Sequence, residues 1–240
     1  MQVAQNSPVY KLRPWLNFNE RIVLRVTTEN FSEVKAVKKI VLATRNLGKI
    51  EEFERMLQAA ELEIQVLGLR DYPDMPDVEE TGSTFAENAL LKAHQICLYT
   101  GLPALADDSG LCVDALDGAP GIFSARWAGV HGDDKANLEK VLREIQALPN
   151  PSMGARFRCA VVLALPANHP SGVQEVVREG DIVGQIVLEP RGTNGFGYDP
   201  IFQPDGYTQT TAELPSEVKD QISHRGRALQ AILPEIINLL

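Results

Sequence analysis

The chain has 240 residues, 44% hydrophobic and 23% charged, a balance that supports one large globular domain or two small ones and excludes collagen-like and disordered classes. Its formal net charge of −9 repels nucleic-acid backbones and anionic membranes. Three widely spaced cysteines (Cys97, Cys112, Cys159), with no C-x-x-C, exclude a disulfide framework or zinc knuckle and fit a reducing compartment.

The charge is uneven. Residues 1–38 carry six basic and three acidic residues, a net of +3, which leaves −12 on the remainder. This segment has no sustained periodicity, no apolar core of a signal peptide and no small-residue cleavage site, so it predicts a loosely ordered extension. Arg21–Thr27 is its one strand-like stretch. No run approaches the roughly 18 apolar residues of a membrane span, and a cytoplasmic location is expected.

From Lys39 onward the pattern is that of a folded domain, 39–240. Ile40–Ala43 is a buried-strand run, after which Asn46 stands at a helix N-cap position. Leu47, Ile50, Phe53 and Leu57 then recur at helical spacing, with Met56 and Ala60 widening the stripe. A short strand follows at Glu63–Leu67, and residues 71–80, with five acids, two prolines and no base, read as an irregular acidic loop. Thr84–Tyr99 predicts a helix whose apolar arc holds Phe85, Ala86, Ala89, Leu90, Ala93, Ile96 and Cys97. Glu87, Asn88, Lys92, His94 and Gln95 fall on its polar side. Ala104–Asp107 predicts a strand entering a turn at Asp108-Ser109-Gly110, and Asp133–Leu148 another amphipathic helix. Arg156–Leu165 and Val173–Val187 predict an extended pair, and Gly192–Pro200 a Gly-rich loop. The tail Gly226–Leu240 aligns Leu229, Ile232, Leu233, Ile236 and Ile237 on one helical face, with a kink expected at Pro234. Alternating strands and helices with a late strand pair indicate an α/β or α+β mixed-sheet architecture.

Four places carry residues suited to chemistry. Thr44-Arg45-Asn46-Leu47-Gly48-Lys49 is a strand-to-helix turn, where free backbone N–H groups and the positive helix end favour phosphate. It is not a Walker A loop, because Ala43 stands at the first glycine and Ile50 replaces the Ser/Thr. Glu79-Glu80 precede a helix on which Asn88 and Lys92, four apart, are neighbours; such carboxylates suit Mg²⁺. Asp107-Asp108-Ser109 follow an apolar strand, where alternation sends one carboxylate inward and the other toward a ligand. Finally, Gly195–Pro200 flanks Phe196 and Tyr198 with glycines that let a planar ligand approach. Ser223-His224-Arg225 adds donors and a helix cap. Each has a plain structural alternative: a capped helix, a solvated acidic loop, an Asp/Ser/Gly turn and a Gly-rich turn.

Together and in this order, TRNLGK, EETGSTFAENALLKA, ADDSGL, GAPGIFSARWAG, GTNGFGYDPIF, TAEL and ISHRGRAL resemble the inosine triphosphate pyrophosphatase (Ham1-like) family. The resemblance runs from about Ile40 to Ile232. It implies an elongated α/β fold with a long mixed sheet and two lobes around a nucleotide cleft. It further implies a cytoplasmic homodimer that hydrolyses ITP, dITP and XTP to the monophosphate and pyrophosphate with Mg²⁺. On this resemblance Thr44–Lys49 and Lys92 hold the triphosphate. Glu79 matches the metal-binding glutamate, with Glu80 the alternative beside it. Asp108 matches the catalytic carboxylate and second metal ligand, and Ser109 lies against substrate. Phe196 stacks on the base, and Gly197, Tyr198, Asp199, Lys219, His224 and Arg225 complete its pocket.

Donors at His224 and Arg225 would suit the 6-oxo group of hypoxanthine or xanthine and oppose adenine's 6-amino group. Guanine, also 6-oxo, must then be rejected through its 2-amino group. The extension 1–38 stands outside the family pattern, and Arg45 occupies a position where the family varies. A Maf-like pyrophosphatase of other base specificity and a non-catalytic nucleotide-binding module are the competing readings. FGYDP and SHR favour the inosine type, and Glu79, Lys49 and Asp108 favour an enzyme.

Overall fold

The computed structural model describes residues 38–60, 64–172 and 174–240. The expected extension, apart from Lys38, lies outside them, as do its strand-like stretch Arg21–Thr27, Glu63 at the start of the second expected strand and Val173 at the start of the last.

Lys38–Leu42 forms β1, whose last three residues are buried. The side chain of Asn46 accepts a hydrogen bond from the Lys49 N–H and starts α1, Leu47–Ala59. This helix returns the chain to β2, Ile64–Gly68, parallel to β1. The acidic loop then leads to α2, Phe85–Thr100, opened by a capping box between Thr84 and Glu87 and closed by Gly101 in the left-handed region at φ +67°. Next, β3, Ala104–Val113, pairs parallel to the other side of β1. After α3, Asp134–Gln146, the chain runs through antiparallel β4, Gly154–Ala164, and β5, Glu175–Ile186. A short β6, Phe202–Pro204, completes a six-stranded mixed sheet of order β2-β1-β3-β4-β5-β6. Two helices, α4 (Ser216–Ile222) and α5 (His224–Leu239), end the chain.

Helices cover both sheet faces around β3 and the second half of β4, so that β3 and Cys159–Ala164 are buried almost continuously, whereas the first half of β4 alternates with Arg156 and Arg158 exposed. Ile40, Leu42, Leu105 and Leu163 pack with Phe53 and Leu57 of α1 and Leu229, Ile232 and Ile236 of α5. The reverse face, Val41, Ala43, Ala104, Ala106 and Val162, receives Ala89, Ala93 and Ile96 of α2. A third cluster joins Leu111, Val113 and Phe157 to Leu138, Val141 and Ile145 of α3. Each large apolar side chain buried in this way contributes about 1.5–3 kcal/mol.

Three expectations are corrected. Asp108-Ser109-Gly110 is not a turn: it lies inside β3, paired with Ala160, Cys159 and Arg158 of β4. The glycine there serves close packing, since a Cβ at Gly110 would collide with the Gly121 carbonyl and the Ser124 hydroxyl. Leu47 is 65% exposed and Ile237 54%, so both lie off the stripes assigned to them, one at each end of the folded chain. Asn88, expected on the polar side of α2, is fully buried because that side faces β3 at the site described next. Pro234, where the kink is expected, lies inside α5, which runs on to Leu239; the carbonyl it leaves without a helical donor belongs to Gln230, an exposed residue.

Candidate active site

One cleft of about 660 Å³ gathers nearly every side chain singled out from the sequence. Thr44, Arg45, Asn46, Lys49, Glu79, Lys92, Asp108, Ser109, Phe196, Gly197, Tyr198, Asp199, Lys219, His224 and Arg225 all line it. Leu47 and Gly48 do not. Leu47 turns to solvent, and Gly48 lies under the ring of Phe196.

The adjacent aspartates divide as strand geometry requires. Asp107, buried, turns away from the cleft and pairs with Lys49 (2.9 Å) and Arg225 (3.2 Å). Burial alone would raise its pKa, but the two cations hold it well below the usual carboxylate range. Asp108 faces the cleft. Its Oδ2 accepts from Asn88 Nδ2 at 3.1 Å, and its Oδ1 lies 3.4 Å from Lys92 Nζ. Here burial prevails over Lys92 and Lys49, and the pKa is raised. Asn88 is fixed in turn, since its Oδ1 accepts from the Gly82 N–H at 2.8 Å.

The acidic loop closes onto the same cations. Glu80 receives Lys92 (2.8 Å) on one oxygen and Arg126 (2.9 Å) on the other. Burial would raise Glu80, yet Lys92 and Arg126 lower it. Burial would likewise lower Lys92, and Asp108 and Glu80 raise it instead. The Arg45 side chain is held against the acidic loop, by Asp77 (3.0 Å) and the Met75 carbonyl (2.9 Å). Glu79 lines the cleft and, among the described residues, its carboxylate makes no hydrogen bond or ion pair.

At the opposite end a buried charge network forms. Lys219 donates to Glu52 (2.7 Å) and Asp199 (2.5 Å), and Arg225 donates to Glu52, Asp107 and, at 2.9 Å, the Ser109 hydroxyl. Burial pushes Glu52 up, but Arg225 and Lys219 bring it down to about 2. His224 stacks on Phe157 with ring centroids 4.7 Å apart. Burial and then Arg225 drive its pKa well down, so the imidazole is neutral near pH 7 and has one donor and one acceptor nitrogen. Its Nδ1 is buried without a partner. Tyr198 and Asp199 are committed to the scaffold: the Tyr198 hydroxyl donates to the Ser124 carbonyl (2.8 Å), and Asp199 accepts from the Phe196 N–H and the Thr211 hydroxyl (both 2.9 Å).

Sequence reasoning does not single out Glu52 or Arg126, and it names Asn88 only as a neighbour of Lys92 on the polar side of its helix. For Glu52 a faint signal exists: it precedes Met56 by four residues and so borders the apolar stripe of α1.

The donors present fit a hard divalent cation. Asp108 and unpaired Glu79 turn carboxylates into one cleft, and Mg²⁺ commonly takes one or two protein carboxylates with water and phosphate for the rest. Among the described residues no group of three His, Cys, Asp or Glu side chains forms a cage without substrate. Nor is any helix among them long and apolar enough to cross a membrane.

The model of the Ham1 family matches residues 40–235. The dITP/XTP pyrophosphatase of Streptomyces avermitilis is 55% identical over 202 residues, covering 84% of this chain and 98% of that protein. The enzyme of the same name from Streptomyces coelicolor is 56% identical with the same coverage. Among solved structures, a HAM1 protein from Coxiella burnetii superimposes with a TM-score of 0.74 at 43% identity, covering 84% of this chain and 99% of that one.

Proposed function

The chain belongs to the Ham1 family, and from that premise we propose that it is a nucleoside triphosphate pyrophosphatase acting on ITP, dITP and XTP. It releases the monophosphate and pyrophosphate, which removes deaminated purines before a polymerase can use them. The observation that carries the reading is Asp108: a buried carboxylate, oriented by Asn88, in one cleft with Lys49, Lys92 and the aromatic ring of Phe196.

In this reading Lys49, Lys92 and the N–H groups opening α1 bind the triphosphate. Glu79 and Asp108 hold Mg²⁺, which when bound supplies countercharge to the phosphates and the leaving pyrophosphate. Asp108 accepts the proton of the attacking water at its carboxylate. Asn88 fixes the direction of that carboxylate. Phe196 stacks on the base, and His224 and Arg225 address its 6-oxo edge. Lys219 acts mainly by holding Glu52 and Asp199 in place. Adenine would set its 6-amino donor against the Arg225 guanidinium, which has donors only, a mismatch that disfavours it. A cytoplasmic homodimer completes the proposal.

The test is pyrophosphate release by purified protein with Mg²⁺ and ITP, XTP, dITP, GTP, ATP or dTTP. The first three are expected to exceed the others in kcat/KM by at least about a hundredfold. No turnover of ITP and XTP, or equal turnover of all six, overturns the proposal.

Residues 1–39 precede the matched family region, and we assign activity to the domain from Lys39 onward. Deleting 1–37 is expected to leave kcat/KM for ITP within about twofold, because the matched family region and every residue assigned to the site lie outside it. A tenfold loss would place part of the site in the extension.

A further inference from the structure

Gly48 occupies the second position of α1 and is not among the glycines of positive φ, so its backbone does not require glycine. Alanine is the better helix residue there by intrinsic preference. What forbids a side chain is Phe196. A Cβ at Gly48 would lie 2.8 Å from Cε1 and 3.0 Å from Cγ of that ring, and closer still to Cδ1. The aromatic ring therefore rests directly on the helix backbone.

Everything else around the ring is fixed. The Phe196 N–H donates to Asp199 and the Gly197 N–H to Asp134, both at 2.9 Å, while Gly195 and Gly197 hold left-handed φ of 75° and 63°. The Lys219 ammonium lies 5.1 Å and the Arg225 guanidinium 5.6 Å from the ring centroid, within cation–π range. Both cations are locked by Glu52, which lies four residues after Gly48 and so on the same side of α1. One helix face thus sets the ring through an absent side chain and the cations through a carboxylate.

We infer that Gly48, in the turn assigned to phosphate, is a positioning residue for base recognition: its lack of a side chain seats Phe196 where a 6-oxopurine can stack while meeting His224 and Arg225. This rests on the reading of Phe196 as the stacking surface. A methyl group at Gly48 forces the ring back by at least 0.6 Å to restore ordinary 3.4 Å contact with Cε1. Lys219 and Arg225, held elsewhere, do not follow. Misplacement on that scale is costly for a bound and oriented substrate.

The experiment compares wild type, Gly48→Ala, Phe196→Ala and the double variant by KM and kcat for ITP and XTP, by the ITP/GTP ratio of kcat/KM, and by thermal melting. Gly48→Ala is expected to raise KM for ITP about tenfold, with a smaller effect on kcat, and to narrow the ITP/GTP ratio. It is expected to melt no lower than wild type, which separates a displaced ring from a damaged fold. In the Phe196→Ala background the same substitution should change KM by less than about twofold, because the clash is gone. An equal effect in both backgrounds would assign Gly48 to phosphate alone and overturn the inference, as would wild-type KM and selectivity in Gly48→Ala. Wild-type kinetics in Phe196→Ala would remove the stacking assignment and the inference with it. Absence of ITP turnover in wild type would overturn the functional reading itself.

Discussion

Replacing Asp108 by asparagine is expected to lower kcat for ITP by about 10²–10⁴-fold, the contribution of a positioned general base. The substitution is nearly isosteric. The introduced amide can still accept from Asn88 through its oxygen, and Lys92 retains Glu80 at 2.8 Å, so neither neighbour is left unpaired. Nucleotide affinity should therefore persist, carried by Lys49, the α1 turn and the base end, with a change confined to the charge lost near the phosphates. Single-turnover hydrolysis and calorimetric titration with ITP measure the two quantities separately. Activity within about threefold of wild type would remove Asp108 from the proton transfer. A loss of binding as large as the loss of rate would make it a ligand holder only.

The contrast between Asp107 and Asp108 explains what local sequence can convey. Alternation along a strand predicts that adjacent carboxylates diverge, and they do, without any knowledge of their partners. The N-caps Asn46, Thr84, Asp133 and Ser223 are equally local, and each accepts from a backbone N–H within three residues. Turn chemistry is less transparent. Asp-Ser-Gly is a strong turn signature, but at 108–110 the glycine answers to the approach of Gly121 and Ser124, which no local window contains. Asn88 shows the same limit, since only the packing of β3 against α2 brings Asp108 to its amide.

Glu52 lies furthest beyond sequence reasoning, because its partners Lys219 and Arg225 are 167 and 173 residues away. Preceded by Glu51 and followed two residues on by Glu54, it reads as one more solvated helix acid. Its burial follows only from the approach of Lys219 on α4 and Arg225 at the start of α5, a property of topology and not of composition.

That burial gives the second prediction. Glu52→Ala is expected to lower the melting temperature by about 10 °C, since it leaves an ammonium and a guanidinium buried without their shared carboxylate, a defect of roughly 3–5 kcal/mol. The acid limb of stability should change too. In the folded protein Glu52 is held at about 2, below its ordinary 4.5, so its ionic contribution is complete above pH 4.5 and disappears as pH falls toward 2. The wild-type contribution at neutral pH is on the order of 3 kcal/mol for a shift of that size. Asp107, also held low, adds a loss of the same sign that both proteins share. Denaturant unfolding of wild type and Glu52→Ala between pH 6 and 3 should therefore give two curves that converge as the medium becomes acidic. A gap that stays constant over that interval would mean that the Glu52 side chain contributes packing alone, and that Lys219 and Arg225 keep their positions without its charge.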